Sequence, residues 1–98
     1  MISFEKAPKQ HIQREKEKAR LLRKSSWWTS KVQREKKCHY CSKAVTPQEV
    51  TMDHILPISR GGKTTKGNLA VCCKDCNSIK KYYTPVEWQF FINSEQTK

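Results

Sequence analysis

Two cysteine pairs, Cys38-His39-Tyr40-Cys41 and Cys73-Lys74-Asp75-Cys76, stand 31 residues apart in a chain of 98. Each is a C-x2-C knuckle that can wrap two thiolates around one ion through a tight turn. Two knuckles complete a tetrahedral four-sulfur set with no open position, the arrangement of structural zinc. A competing ligand set has His39 in place of one cysteine. A redox role fits less well, because there are two such pairs and neither sits in a thioredoxin-like βαβ pattern. The fifth cysteine, Cys72, belongs to neither knuckle and falls in an apolar run, which suits a small buried hydrophobe.

Between and beside the knuckles stand Asp53, His54, Asn68 and Asn77. Singly, each has an ordinary structural use: Asp53 caps a turn, His54 is a surface or satisfied core histidine, Asn68 sits in a turn, and Asn77 stabilises the start of a helix. Together they have a chemical logic. A carboxylate and an amide oxygen are hard donors suited to magnesium or manganese. An imidazole titrating near neutrality is the usual general base for activating water.

Elements that could bring them together are legible on either side. Glu49 to Ile55 contains Val50, Thr51 and Met52 in a strand-like pattern. Residues 56 to 67 hold Pro57, Gly61, Gly62 and Gly67 and read as a loop. Leu69 to Cys72 is a second apolar run that can return beside the first strand. Lys74 to Tyr82 suits a short helix, which would set Asn77 near the end of the first strand once the knuckles are tied. Thr84-Pro85-Val86-Glu87 is a capping-box sequence with proline at the first helical position, opening a last helix that carries Val86, Trp88, Phe91 and Ile92.

The remaining signal is charge. Twenty Lys and Arg against nine Asp and Glu give a net +11, with 36% hydrophobic and 30% charged residues. Residues 1–37 hold twelve of the basic residues and four of the acids, so the chain divides into a basic arm, 1–37, and a cysteine-bearing module, 38–98. In the arm, Gln10 to Lys24 lacks Gly and Pro and favours helix, with a thin apolar stripe of Ile12, Ala19 and Leu22. Trp27 and Trp28 interrupt this polar stretch and read as plugs over a small core rather than as base-stacking platforms. Such a length and composition exclude a multidomain enzyme with its own substrate domain, and the charge calls for a polyanionic partner, nucleic acid first. MISFEKAPKQ lacks the apolar stretch of a secretory signal, so the expected compartment is a reducing cytoplasm, where cysteines bind metal rather than pair.

The string Asp53-His54-Ile55-Leu56-Pro57-Ile58-Ser59-Arg60-Gly61-Gly62, followed by Asn68-Leu69 and by Cys73-Lys74-Asp75-Cys76-Asn77, resembles the HNH endonucleases of the ββα-metal fold, in the subgroup with a four-cysteine zinc site. The resemblance covers roughly residues 38 to 82. It implies an α+β fold, a small zinc-stabilised ββα-metal domain on Cys38, Cys41, Cys73 and Cys76, flanked here by the basic helical arm and a C-terminal helix. It further implies that His54 deprotonates the attacking water, that Asp53 binds a catalytic magnesium or manganese ion, and that Asn68 holds the hairpin loop and orients the His54 ring. Asn77 occupies the third motif position, where many members have a second histidine, so the ion would have two oxygen ligands.

On this reading Arg60, Lys63, Lys66, Lys80 and Lys81 are placed to hold neighbouring phosphates, although each is also an ordinary surface charge. The expected partner is DNA, double-stranded, with a protein partner or a homodimer as an option, since cutting both strands from one active site would take a dimer or two successive nicks. The expected setting is a phage or mobile-element nicking nuclease in the cytoplasm of a bacterial or phage-infected host cell. The rival is a noncatalytic zinc-knuckle module that binds DNA or RNA through the arm, which would have no reason to assemble Asp53, His54, Asn68 and Asn77.

Overall fold

At the centre is an antiparallel pair of short strands, β1 (Thr51–His54) and β2 (Leu69–Cys72), in the register Thr51 to Cys72, Met52 to Val71, Asp53 to Ala70 and His54 to Leu69. The computed structural model describes residues 6–96. Helix α3 (Lys74–Lys80) follows β2 directly and packs back on β1, completing a ββα unit. This is the α+β fold expected from the sequence. The loop joining the strands carries two single 3-10 turns, Ile58–Arg60 and Lys66–Asn68. Gly62 is required in that loop, because any Cβ there would collide with the Leu56 carbonyl.

Before this unit come α1 (Lys9–Arg23) and α2 (Ser26–Glu35), and after it α4 (Pro85–Gln96). Ser25 joins the first two helices. Its hydroxyl donates to the Leu22 carbonyl at 2.6 Å and accepts from the Trp28 N–H at 3.3 Å, so it closes α1 and caps α2. The Thr84 capping box forms as expected: Thr84 N–H donates to Glu87 Oε1 at 3.0 Å, and Glu87 N–H donates to Thr84 Oγ1 at 3.3 Å.

The basic segment contributes to the core. Ala19 of α1 and Trp28 and Val32 of α2 are buried in one cluster with Cys38, Val45, Met52, Leu69, Val71 and Cys72, and Trp27 packs on its edge. All four residues of β2 are buried, because α2 packs against that strand, which is why its sequence is continuously apolar. Cys72 is fully buried in this cluster, and burial pushes its thiol pKa up, so it is a neutral packing group.

Helix α1 also lies along the loop between the strands. The Ala7 N–H donates to the Ser59 carbonyl at 2.8 Å, and His11 Nε2 donates to the Gly62 carbonyl at 2.9 Å. Glu15, only 2% exposed, accepts the Thr64 backbone N–H at 2.6 Å and pairs with Lys18 at 3.3 Å. The Thr64 N–H bond, opposed by burial and helped by Lys18, holds the Glu15 carboxyl down at about 2. The folded value therefore lies below the unfolded one. The stabilisation is complete above the ordinary glutamate range and is lost as pH falls through it toward 2. Glu15→Gln removes this linkage. The stability advantage of wild type over the variant, read from thermal melts of zinc-loaded protein, is expected to begin to shrink between about pH 6 and pH 4.5, above the acid range in which protonation of the thiolates releases zinc. An advantage that stays constant over that interval would contradict the assignment.

Candidate active site

The two knuckles meet at the start of α3. The Sγ atoms of Cys38, Cys41, Cys73 and Cys76 lie within 4.8 Å of one another, with Cys41 and Cys73 at 3.8 Å. A zinc ion with Zn–S bonds of about 2.3 Å requires sulfurs about 3.8 Å apart, so the cluster fits that ion. Backbone N–H groups already point at the sulfurs: Tyr40 N–H reaches Cys38 Sγ at 3.4 Å, and Cys76 N–H reaches Cys73 Sγ at 3.3 Å. His39 is exposed and is not among the clustered ligands, so the alternative with His39 as a ligand is set aside. The His39 N–H instead donates to the Val71 carbonyl at 2.8 Å and ties the first knuckle to β2.

Beside the sulfur cluster, Asp53, His54 and Asn77 line one cavity of about 370 Å³. Strand β1 supplies the first two and the first half of α3 supplies the third. Pro57, Ile58 and Ser59 of the loop form another wall, and Ile12 and Lys16 of α1 close the opposite side. Lys6 and Lys81, both exposed, also line it, so among the described residues Lys6, Lys16 and Lys81 share this cavity with a carboxylate, an amide and an imidazole.

Asp53 is held from beneath. Its Oδ2 accepts a hydrogen bond from the Tyr40 hydroxyl and is paired with Lys80 Nζ at 3.3 Å. Burial, with the Asp53 carboxylate adding to it, raises the Tyr40 pKa, so the phenol remains a donor. Both partners address Oδ2, so Oδ1 is the carboxylate oxygen that could serve as a single-point ligand. One carboxylate and one amide oxygen fit magnesium or manganese, ions that keep several waters and bind through few protein groups.

Lys80 differs from its expected place. It is 1% exposed, and besides Asp53 its Nζ donates to the carbonyls of His54 at 3.3 Å and Ile55 at 3.2 Å. It is a strut between α3 and the end of β1, not a phosphate contact, because its charge is consumed by a buried carboxylate and two carbonyls. Arg60 is also diverted: its Nη1 bonds Glu87 Oε1 of α4 at 2.8 Å, with both side chains largely covered. Lys63, Lys66 and Lys81 are exposed, and of these Lys81 lines the cavity. Lys66 stands 5.5 Å from the Trp27 ring centroid instead.

Asn68 clamps the loop. Its Oδ1 accepts the Leu56 N–H at 2.8 Å, and its Nδ2 donates to the carbonyls of Leu56 at 3.0 Å and Lys63 at 2.9 Å. The hydrogen-bond partner of the His54 ring, however, is Thr64, whose Oγ1 lies 2.9 Å from Nε2. Asn68 reaches His54 only through the backbone, where the Ile55 N–H donates to the Asn68 carbonyl at 2.9 Å. Burial lowers the His54 pKa, opposed by the nearby Asp53 and Glu15 carboxylates, and so favours the neutral imidazole.

Sequence reasoning missed Tyr40, Glu15, Thr64, Lys6 and Lys16. No helix of the described residues is long and apolar enough to cross a membrane. No curated protein sequence matches the chain. The family model of the HNH endonuclease matches residues 38–89, just over half of the chain, spanning both knuckles, both strands and α3. The aspartate, histidine and asparagine of the cavity fall inside that match, and a nucleic-acid substrate follows from it: the chain belongs to the HNH endonuclease family.

Proposed function

We propose that the protein is a metal-dependent endonuclease that hydrolyses DNA phosphodiester bonds, with His54 as general base and one magnesium or manganese ion on Asp53 and Asn77. The observation that most supports this is the convergence of Asp53, His54 and Asn77 on one cavity flanked by Lys6, Lys16 and Lys81. When bound, the ion would offset charge on the scissile phosphate and on the leaving 3′ oxygen. His54 takes a proton from the attacking water, the water oxygen bonds to phosphorus, and the bond to the 3′ oxygen breaks, the oxygen leaving with the bonding pair and taking a proton from solvent. The three lysines hold the anionic strand, and Tyr40 and Lys80 keep the Asp53 carboxylate aimed.

One such site cuts one strand per encounter. Double-stranded DNA and a nicking reaction suit it, and cutting both strands would take a second copy, a protein partner or two successive nicks. A phage or mobile element acting in a bacterial cytoplasm is the setting we infer, a compartment that keeps the four cysteines reduced.

The test is incubation of supercoiled plasmid with the zinc-loaded protein and, separately, magnesium, manganese, nickel or added zinc. Nicking supported by magnesium or manganese, and poorly by the other two, is the expected result for two oxygen ligands. A strong preference for nickel or zinc would overturn the ligand assignment. Binding without cleavage under every ion would favour the noncatalytic module.

A further inference from the structure

Resting on the reading of His54 as general base, we infer that Thr64, clamped by Glu15 of α1, is a positioning residue that holds the His54 imidazole with its proton on Nε2 and leaves Nδ1 to accept the proton of water. The argument is one of hydrogen count. The Thr64 hydroxyl lies 2.8 Å from the main-chain carbonyl oxygen of Glu15, and a carbonyl can only accept. The single hydroxyl hydrogen is therefore spent on Glu15. The 2.9 Å contact between Thr64 Oγ1 and His54 Nε2 can then be a hydrogen bond only if Nε2 is the donor. In a neutral ring that leaves the lone pair on Nδ1.

The hydroxyl has little freedom to turn away. Thr64 is buried, and Glu15 holds it at two points, with the carboxylate on the Thr64 N–H at 2.6 Å and the carbonyl on its hydroxyl. Glu15 is itself fixed by its place within α1 and by Lys18. The chain Glu15 to Thr64 to His54 thus makes the basic N-terminal helix part of the geometry of the base, although α1 lies outside the region matched by the family model. A ring in the other tautomer would set two lone pairs, on Nε2 and Oγ1, against each other across the 2.9 Å contact with the buried Thr64.

Thr64→Val, which keeps the shape and removes the hydroxyl, and Thr64→Ser, which keeps the hydroxyl, separate this role from packing. In the full-length, zinc-loaded protein Thr64→Val is expected to lower kcat for plasmid nicking on the order of 10- to 100-fold with KM little changed. Thr64→Ser is expected to stay within about threefold of wild type, since the hydroxyl is retained. Long-range ¹H–¹⁵N correlation spectra give a readout independent of turnover: wild-type His54 should show the Nε2-protonated pattern, and Thr64→Val a mixture of tautomers. A wild-type ring protonated on Nδ1 alone would overturn the inference even if Thr64→Val failed to fold. A fully active Thr64→Val beside an inactive His54→Ala would overturn it while leaving the general-base reading intact. Normal cleavage by His54→Ala would overturn the general-base reading and this inference with it.

Discussion

Replacing His54 by alanine is expected to lower plasmid cleavage by about 10²- to 10⁴-fold while zinc content and the thermal transition stay near wild type. The loss follows from the inventory of groups in the cavity. Asp53 and Asn77 offer oxygens suited to an ion, and Lys6, Lys16 and Lys81 are basic, so among the described residues the imidazole is the lining side chain suited to remove a proton from water at neutral pH. The fold should survive because the ring is not what holds β1. The strand is paired to β2 through its backbone, and Lys80 grips the carbonyls of His54 and Ile55, both of which remain in the variant. Thr64 keeps both bonds to Glu15. Cleavage by His54→Ala at the wild-type rate would show that the base is misassigned or that the protein does not act through this cavity.

The elements that carry the site were legible because their signals are local. The apolar run Leu69–Cys72, the capping box at Thr84 and the paired knuckles each announce an element within a few residues, and β2 and α4 lie where those signals set them, whereas β1 and α3 are shorter than their patterns and α2 was not anticipated. What stayed hidden depends on partners far apart in the chain. A lysine two residues short of Tyr82 looks like any surface cation. That Lys80 is buried against Asp53 becomes visible only once α3 is folded onto β1. Arg60 carries no mark of its pairing with Glu87, 27 residues away. Glu15 did leave a trace. It falls in the helical stripe of Ile12, Ala19 and Leu22, and a carboxylate on the apolar face of a helix needs a buried partner. Its partner, Thr64, is 49 residues away and could not be named from spacing.

Loss of one knuckle cysteine is expected to have the largest effect on stability. Cys76→Ala should bind less than one equivalent of zinc and lose the cooperative thermal transition, whereas Cys72→Ala should keep one zinc and cost only about 1–2 kcal/mol. The contrast is between two buried thiols four residues apart, of which only Cys76 belongs to the sulfur cluster. A structural zinc site in a small domain contributes on the order of 10 kcal/mol of folding free energy, more than the few buried apolar side chains of this cluster would leave as net stability. The consequence reaches the cavity through α3. That helix has seven residues, too few to persist alone, and it begins at Cys73, whose sulfur accepts the Cys76 N–H at 3.3 Å as its N-cap. It also carries Asn77 and Lys80, the first lining the cavity and the second gripping Asp53. Removal of zinc from wild type by a chelator selective for zinc, with magnesium kept in excess, should therefore abolish the thermal transition and plasmid cleavage over the same range of chelator concentration. Metal-free protein that still melted cooperatively within a few degrees of the zinc-loaded form would show that the apolar core suffices, and that the four sulfurs serve some purpose other than holding α3 to the hairpin.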